Sequence, residues 1–120
     1  MDEQRERRKE QRKKLMAFTS VYDLYKGILL GHIRDLTQQG VLVIGEKKVD
    51  VDTLTTLAFE LPGGLPGIVA THMKISARVA RCEVDESSQT YKIGFEFTDI
   101  KAEQTEILQA LLERYHFRHK

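Results

Sequence analysis

Apolar and polar residues alternate along most of the chain with the period of two that marks half-buried strands. The cleanest stretch runs from Thr55 to Leu61, where Thr55, Leu57, Phe59 and Leu61 face one way and Thr56, Ala58 and Glu60 the other. Upstream, Phe18, Tyr22 and Leu24 share one face of a strand in which Ser20 is the weak position. Tyr25-Lys26-Gly27 predicts a turn into a second strand running to Leu36. Gly31 inside that strand predicts a bend or a bulge of the kind barrel closure needs. Val41 to Ile44 is a short strand with apolar residues on both faces, so its outer side needs cover. The charged residues from Gly45 to Thr53 predict a solvated loop, in which Val49 and Val51 could make a short edge pairing. Pro62 to Gly67 stops the Thr55–Leu61 strand, since neither its prolines nor its glycines favour a ladder.

From Ile68 to Val84 the alternation changes parity. Ile75, Ala77 and Val79 share one face, whereas Ala80, Cys82 and Val84 share the other, which predicts a β-bulge at Val79 and Ala80. After a polar turn from Asp85 to Gln89, Tyr91, Ile93, Phe95 and Phe97 line one face of a last strand. Ile100, Ile107, Leu108, Leu111, Leu112 and Tyr115 then recur at helical spacing, with Asp99 as the expected cap. Short strands followed by one amphipathic helix predict an all-β domain with one helix. The expected fold is a small antiparallel β-barrel, six-stranded and split, with the C-terminal helix packed on it. The helix stripe would cover either the strand near Val41 or an open end of the barrel.

Composition adds boundaries to this picture. The 120 residues are 41% hydrophobic, enough for one modest core. Cys82 is the single cysteine and has no partner for an internal disulfide, which fits a reducing compartment. No signal-peptide pattern and no long apolar run occurs, so a cytoplasmic protein without a membrane span is expected. The net charge of +1 hides an asymmetry. Residues 2–14 carry seven basic and four acidic side chains, a net +3, and the rest of the chain is −2. The expected organisation is a basic arm over residues 1–14, mobile when free, ahead of a barrel domain over 15–120. Such an arm would attract an anionic partner, more weakly as salt rises.

Asp35, Thr37 and Gly40, in Asp-x-Thr-x-x-Gly, suit a tight connection between two strands: the side chains can bond nearby amides and the glycine tolerates a positive φ. The same carboxylate and hydroxyl could also accept hydrogen bonds from a ligand at the sheet edge. In the arm, Arg8 and Arg12 lie four apart. Guanidinium groups bond phosphate or the guanine O6 and N7 edge, although charged termini are commonly just solvated. Other candidates are poor. His116 and His119 lack a further ligand at metal spacing, Asp50 and Asp52 read as a solvated loop pair, and His32 and His72 have no triad partner. Neither a phosphate-binding Gly-Lys-Thr loop nor a nucleophile elbow occurs, so no enzyme, metal or cofactor is expected.

In combination, Arg-x-x-x-Arg at 8 and 12, Asp-x-Thr-x-x-Gly at 35 to 40, and Ile93-Gly94-Phe95-Glu96-Phe97 before the helix resemble the PilZ domain family. That family binds the bacterial second messenger cyclic di-GMP. The resemblance implies that Arg8 and Arg12 clamp guanine and phosphate groups while Asp35, Thr37 and Gly40 form the floor of the site. Thr37 stands where the family pattern has Ser. Arg7 precedes the arginine motif, where family members with Arg often hold two stacked ligand molecules. The implied function is a receptor whose arm folds over the ligand and signals to a downstream protein partner in motility, adhesion or polysaccharide output. Two alternatives remain: an adaptor that keeps the fold without the ligand, and nucleic-acid binding through the arm, which the scarcity of exposed aromatics disfavours.

Overall fold

Six strands form in chain order, β1 (Ser20–Asp23), β2 (Ile28–Leu36), β3 (Gly40–Gly45), β4 (Leu54–Glu60), β5 (His72–Asp85) and β6 (Thr90–Phe97), followed by helix α1 (Ala102–Arg114). These come from a computed structural model, which describes residues 20–115. Arg7, Arg8 and Arg12, the rest of the expected arm, and His116 and His119 lie outside the described residues. The strands close into a barrel in the order β1-β2-β3-β6-β5-β4, with every pairing antiparallel. Closure satisfies the backbone ladder on both sides of each strand and leaves no free edge. This is the six-stranded barrel with one C-terminal helix that the alternation predicts. Among the described residues no helix is long and apolar enough to cross a membrane.

The interior is filled from alternate positions. Leu57 and Phe59 of β4, Ile75, Ala77 and Val79 of β5, and Ile93, Phe95 and Phe97 of β6 are all buried. They are the residues the period of two assigns inward. β1 is the exception. Val21 (0% exposed) and Asp23 (8%) point in, and Tyr22 lies outside with its hydroxyl 3.5 Å from Glu60, the opposite of the expected parity. Asp23 turns inward because its carboxylate has donors there: the amides of Tyr25 and Lys26 and the Thr55 hydroxyl, each at 3.0 Å. β1 is short and pairs with both β2 and β4, so this bonding outweighs the burial of one aromatic ring.

Three register shifts bend the strands, between Val21 and Tyr22, between Ile33 and Asp35, and between Val79 and Arg81. The bulge predicted at Val79 and Ala80 is the third of these. Gly31 lies at the first, and a side chain there would collide with the Ile44 carbonyl of β3. Ile68 to Ala70 belongs to a loop and not to β5, which begins at His72. Val49 is half-buried against the core and Val51 is exposed. The link from that loop to β5 runs instead through Asp52 and Thr53, whose backbones bond Val79.

The cap of helix α1 falls two residues later than the expected Asp99. Asp99 takes a positive φ of 49° and its carboxylate accepts from Lys101 Nζ at 3.0 Å. Lys101 is the N-cap residue, and Gln104 Oε1 accepts its backbone amide at 2.8 Å. Gln104 Nε2 also donates to the Lys74 carbonyl at 2.6 Å, which ties the first turn to β5. Farther along, Arg114 Nη1 donates to the Gly64 carbonyl at 2.8 Å. Between these two ties Ile107, Leu108 and Leu111 join the buried cluster with Leu65. The helix and the loop after β4 thus close one end of the barrel, while Leu42 and Ile44 on the outer face of β3 stay half-buried. Replacing the fully buried Leu108 (Leu108→Ala) is expected to lower stability by about 2–5 kcal/mol in urea unfolding followed by circular dichroism.

Candidate functional site

The connection from β2 to β3 is a tight hairpin held by Thr37. Its backbone amide donates to the Gly40 carbonyl at 3.0 Å, and its Oγ1 accepts the amides of Gln39 (3.1 Å) and Gly40 (3.2 Å). A hydroxyl has two acceptor sites and one donor. Both acceptor sites are in use, while the O–H makes just a long 3.4 Å contact to the Gly40 carbonyl and is free to turn. Asp35 uses one carboxylate oxygen to accept the Leu36 amide at 3.0 Å. Its other oxygen bonds nothing among the described residues and is available as an acceptor.

Gly40 is required for a different reason from the expected positive φ, which it does not adopt. It pairs with Glu96 on β6, and a Cβ there would collide with the Phe95 carbonyl. The glycine therefore permits the close approach of β3 to β6 beneath the hairpin.

The two bulges decide what faces outward here. In β2 the extra residue is Arg34, which lets Ile33 pair with Val43 and Asp35 with Leu42, so that Leu36 stays inside and Asp35 outside. In β5 the extra residue is Ala80, which puts Val79 opposite Phe95 and Arg81 opposite Gly94. Arg81 therefore lies on the outer wall, its side chain stretched over Gly94: a Cβ at Gly94 would sit 3.0 Å from Arg81 Cγ and 3.3 Å from its Nε. Asp35, Thr37, Gly40, Arg81, Gly94 and Phe95 together line a shallow concavity of about 180 Å³. Sequence reading missed Arg81. The parity change at Val79 and Ala80 was the available signal, because it turns the next basic residue outward.

Electrostatics single out Arg81 further. Its neighbour Arg78 is committed, with Nη1 2.7 Å from Asp52 and Nη2 2.9 Å from Glu96. Those bonds, the one to Glu96 foremost, raise the Arg78 pKa above its ordinary value. Arg81 has no ion pair among the described residues, and it is exposed in the same concavity that Asp35 lines. The remaining candidates serve other purposes. Asp52 is the partner of Arg78, and His72 Nδ1 is 3.0 Å from the Thr71 hydroxyl. His32 Nδ1 is buried without a partner among the described residues. Among the described residues no three potential ligands are grouped to hold a metal ion.

A family model for the PilZ domain matches residues 6–114, most of the chain. This chain belongs to the PilZ domain family. No curated protein and no solved structure gives a significant match. On the PilZ barrel the Asp-x-Thr-x-x-Gly hairpin lies on the outer wall, with Thr37 making the turn bonds that a serine hydroxyl would make in its place.

Two glycine substitutions separate the roles of these positions. Gly40→Ala is expected to cost roughly 1–3 kcal/mol in urea unfolding, because the opposing atom is backbone and cannot move aside. Gly94→Ala meets the flexible stem of Arg81 and should shift the Arg81 Nε–H resonance in an NMR spectrum, with stability changed by less than about 0.5 kcal/mol.

Proposed function

We infer that this PilZ domain is a receptor for cyclic di-GMP, without catalytic activity of its own, and that the hairpin and the arginine arm form the two halves of its site. The observation that carries this reading is that the described residues supply one part of a site on the wall. At about 180 Å³ it is smaller than the roughly 300–1,000 Å³ of pockets that enclose a whole small molecule, and it is open. It suits one base. A ligand with two guanines and two phosphates needs a second set of donors, and the family match includes the segment with Arg8 and Arg12.

The free oxygen of Asp35 accepts a guanine N1–H or N2–H, the Thr37 O–H turns to donate to phosphate, and Arg81 adds a cation with a flat face. Arg8 and Arg12 clamp the outer side of the ligand, with Arg7 reaching a second ligand molecule if two stack. The arm over residues 1–14 orders on binding, and its changed position against the barrel domain is what a downstream protein partner reads. The substitution of Thr for Ser at 37 does not favour an adaptor that has lost its ligand, since the hydroxyl still makes both turn bonds.

Calorimetry of the full chain with cyclic di-GMP tests the reading. Arg8→Ala and Arg12→Ala are each expected to weaken binding by about ten- to a hundredfold. The exposed Arg81→Ala should weaken it by up to about fivefold, an effect that shrinks at high salt. A wild-type protein that gives no heat at micromolar ligand, indistinguishable from Arg8→Ala, would end the proposal.

A further inference from the structure

The end of the barrel opposite helix α1 is open. There the turn from β1 to β2 and the loop from β3 to β4 border a cavity of about 220 Å³. Its floor is apolar, formed by Leu30, Val49, Val79 and Phe95, and Lys26, Lys47 and Lys48 also line it. Engineered apolar cavities of about 150 Å³ take up benzene, so this one admits a single leucine or phenylalanine side chain. Eight large hydrophobic side chains are exposed among the described residues. Six of them, Tyr25, Ile28, Leu29, Val51, Leu54 and Val84, belong to the turns and strand ends at this end. Such clustering marks interaction surfaces.

Charge narrows the occupant. None of the three lysines has an ion pair among the described residues. Of the two acids lining the cavity, Asp23 is 8% exposed and already accepts three hydrogen bonds, leaving Asp50 as the one free counter-charge. The segments on either side of the described residues do not complement this, since residues 2–14 are net +3 and residues 116–120 contain Arg118 and Lys120 with no acid. A second copy docked mouth to mouth would set lysines against lysines. We propose that the open mouth of the barrel binds an acidic amphipathic segment of a partner protein, one apolar side chain of which enters the cavity while its carboxylates pair with Lys26, Lys47 and Lys48. A concave floor under the cations favours an inserted side chain over a flat lipid surface. The mouth lies at the far end of β2 and β3 from the Asp35–Gly40 hairpin, so this surface stands whether or not the nucleotide reading does.

The probe is a synthetic peptide with leucines at helical spacing among glutamates, titrated into the isotopically labelled full chain. The expected result is movement of the amide resonances of Lys26, Leu29, Lys47, Lys48 and Val49, with Asp35 to Gly40 unmoved. A twin peptide with lysine for glutamate should leave the mouth unmoved. The triple variant Lys26→Glu, Lys47→Glu, Lys48→Glu, with the dispersed spectrum of a folded barrel, should bind at least about tenfold more weakly. Three results would overturn the proposal: shifts confined to the basic N-terminal residues, equal binding by the triple variant, or no movement with peptide while phosphatidylglycerol vesicles shift the same resonances.

Discussion

Closing six strands into a barrel gives every residue one of two directions, in or out, and a single inserted residue reverses the assignment for everything beyond it. The chain uses that constraint twice around its candidate site. Arg34 and Ala80 are the inserted residues, and the side chain after each, Asp35 or Arg81, points outward on the same wall. Without the insertions the alternation running from Ile33 or Val79 would turn both charges into an interior occupied by Leu57, Ile75 and Ile93. Burial of an unpaired charge there would cost far more than the packing around it could supply. The bulges reconcile a filled core with a polar outer site.

Close backbone approach supports the same wall. Gly40 lets β3 lie against β6, and Gly94 leaves the space that the Arg81 stem crosses. Both omit a side chain where a neighbour must come near, one a carbonyl and the other an arginine. The hairpin above them is stiffened by the Thr37 hydroxyl, which accepts two amides and so holds Asp35 at a fixed end of β2. The polar groups of the hairpin are thereby set on a rigid scaffold.

The two ends of the barrel differ in kind. One is covered by α1 and the loop after β4, through Leu65, Leu108 and the bonds from Gln104 and Arg114. The other keeps Val79 and Phe95 at the bottom of an open cavity lined in part by lysines. The candidate wall site and the open mouth are thus separate surfaces on one barrel.

The alternation of residues determined the barrel and its helix, since Thr55 to Leu61, Ile75 to Val79 and Tyr91 to Phe97 each state which side is apolar. The bulge near Ala80 was legible for the same reason, as was the Asp35–Gly40 hairpin from its turn chemistry. Tertiary structure decided the rest. Val21 and Asp23 displaced Tyr22 from the interior because Asp23 finds three donors that are distant or hidden in the linear pattern. Gly40 proved to serve strand proximity, which depends on a carbonyl 55 residues away in the chain. Arg81 joined Asp35 because register between β5 and β6, and between β2 and β3, sets side chains from separate strands on one wall. Local sequence encodes direction, but adjacency across a closed sheet exists once every strand has found its partner.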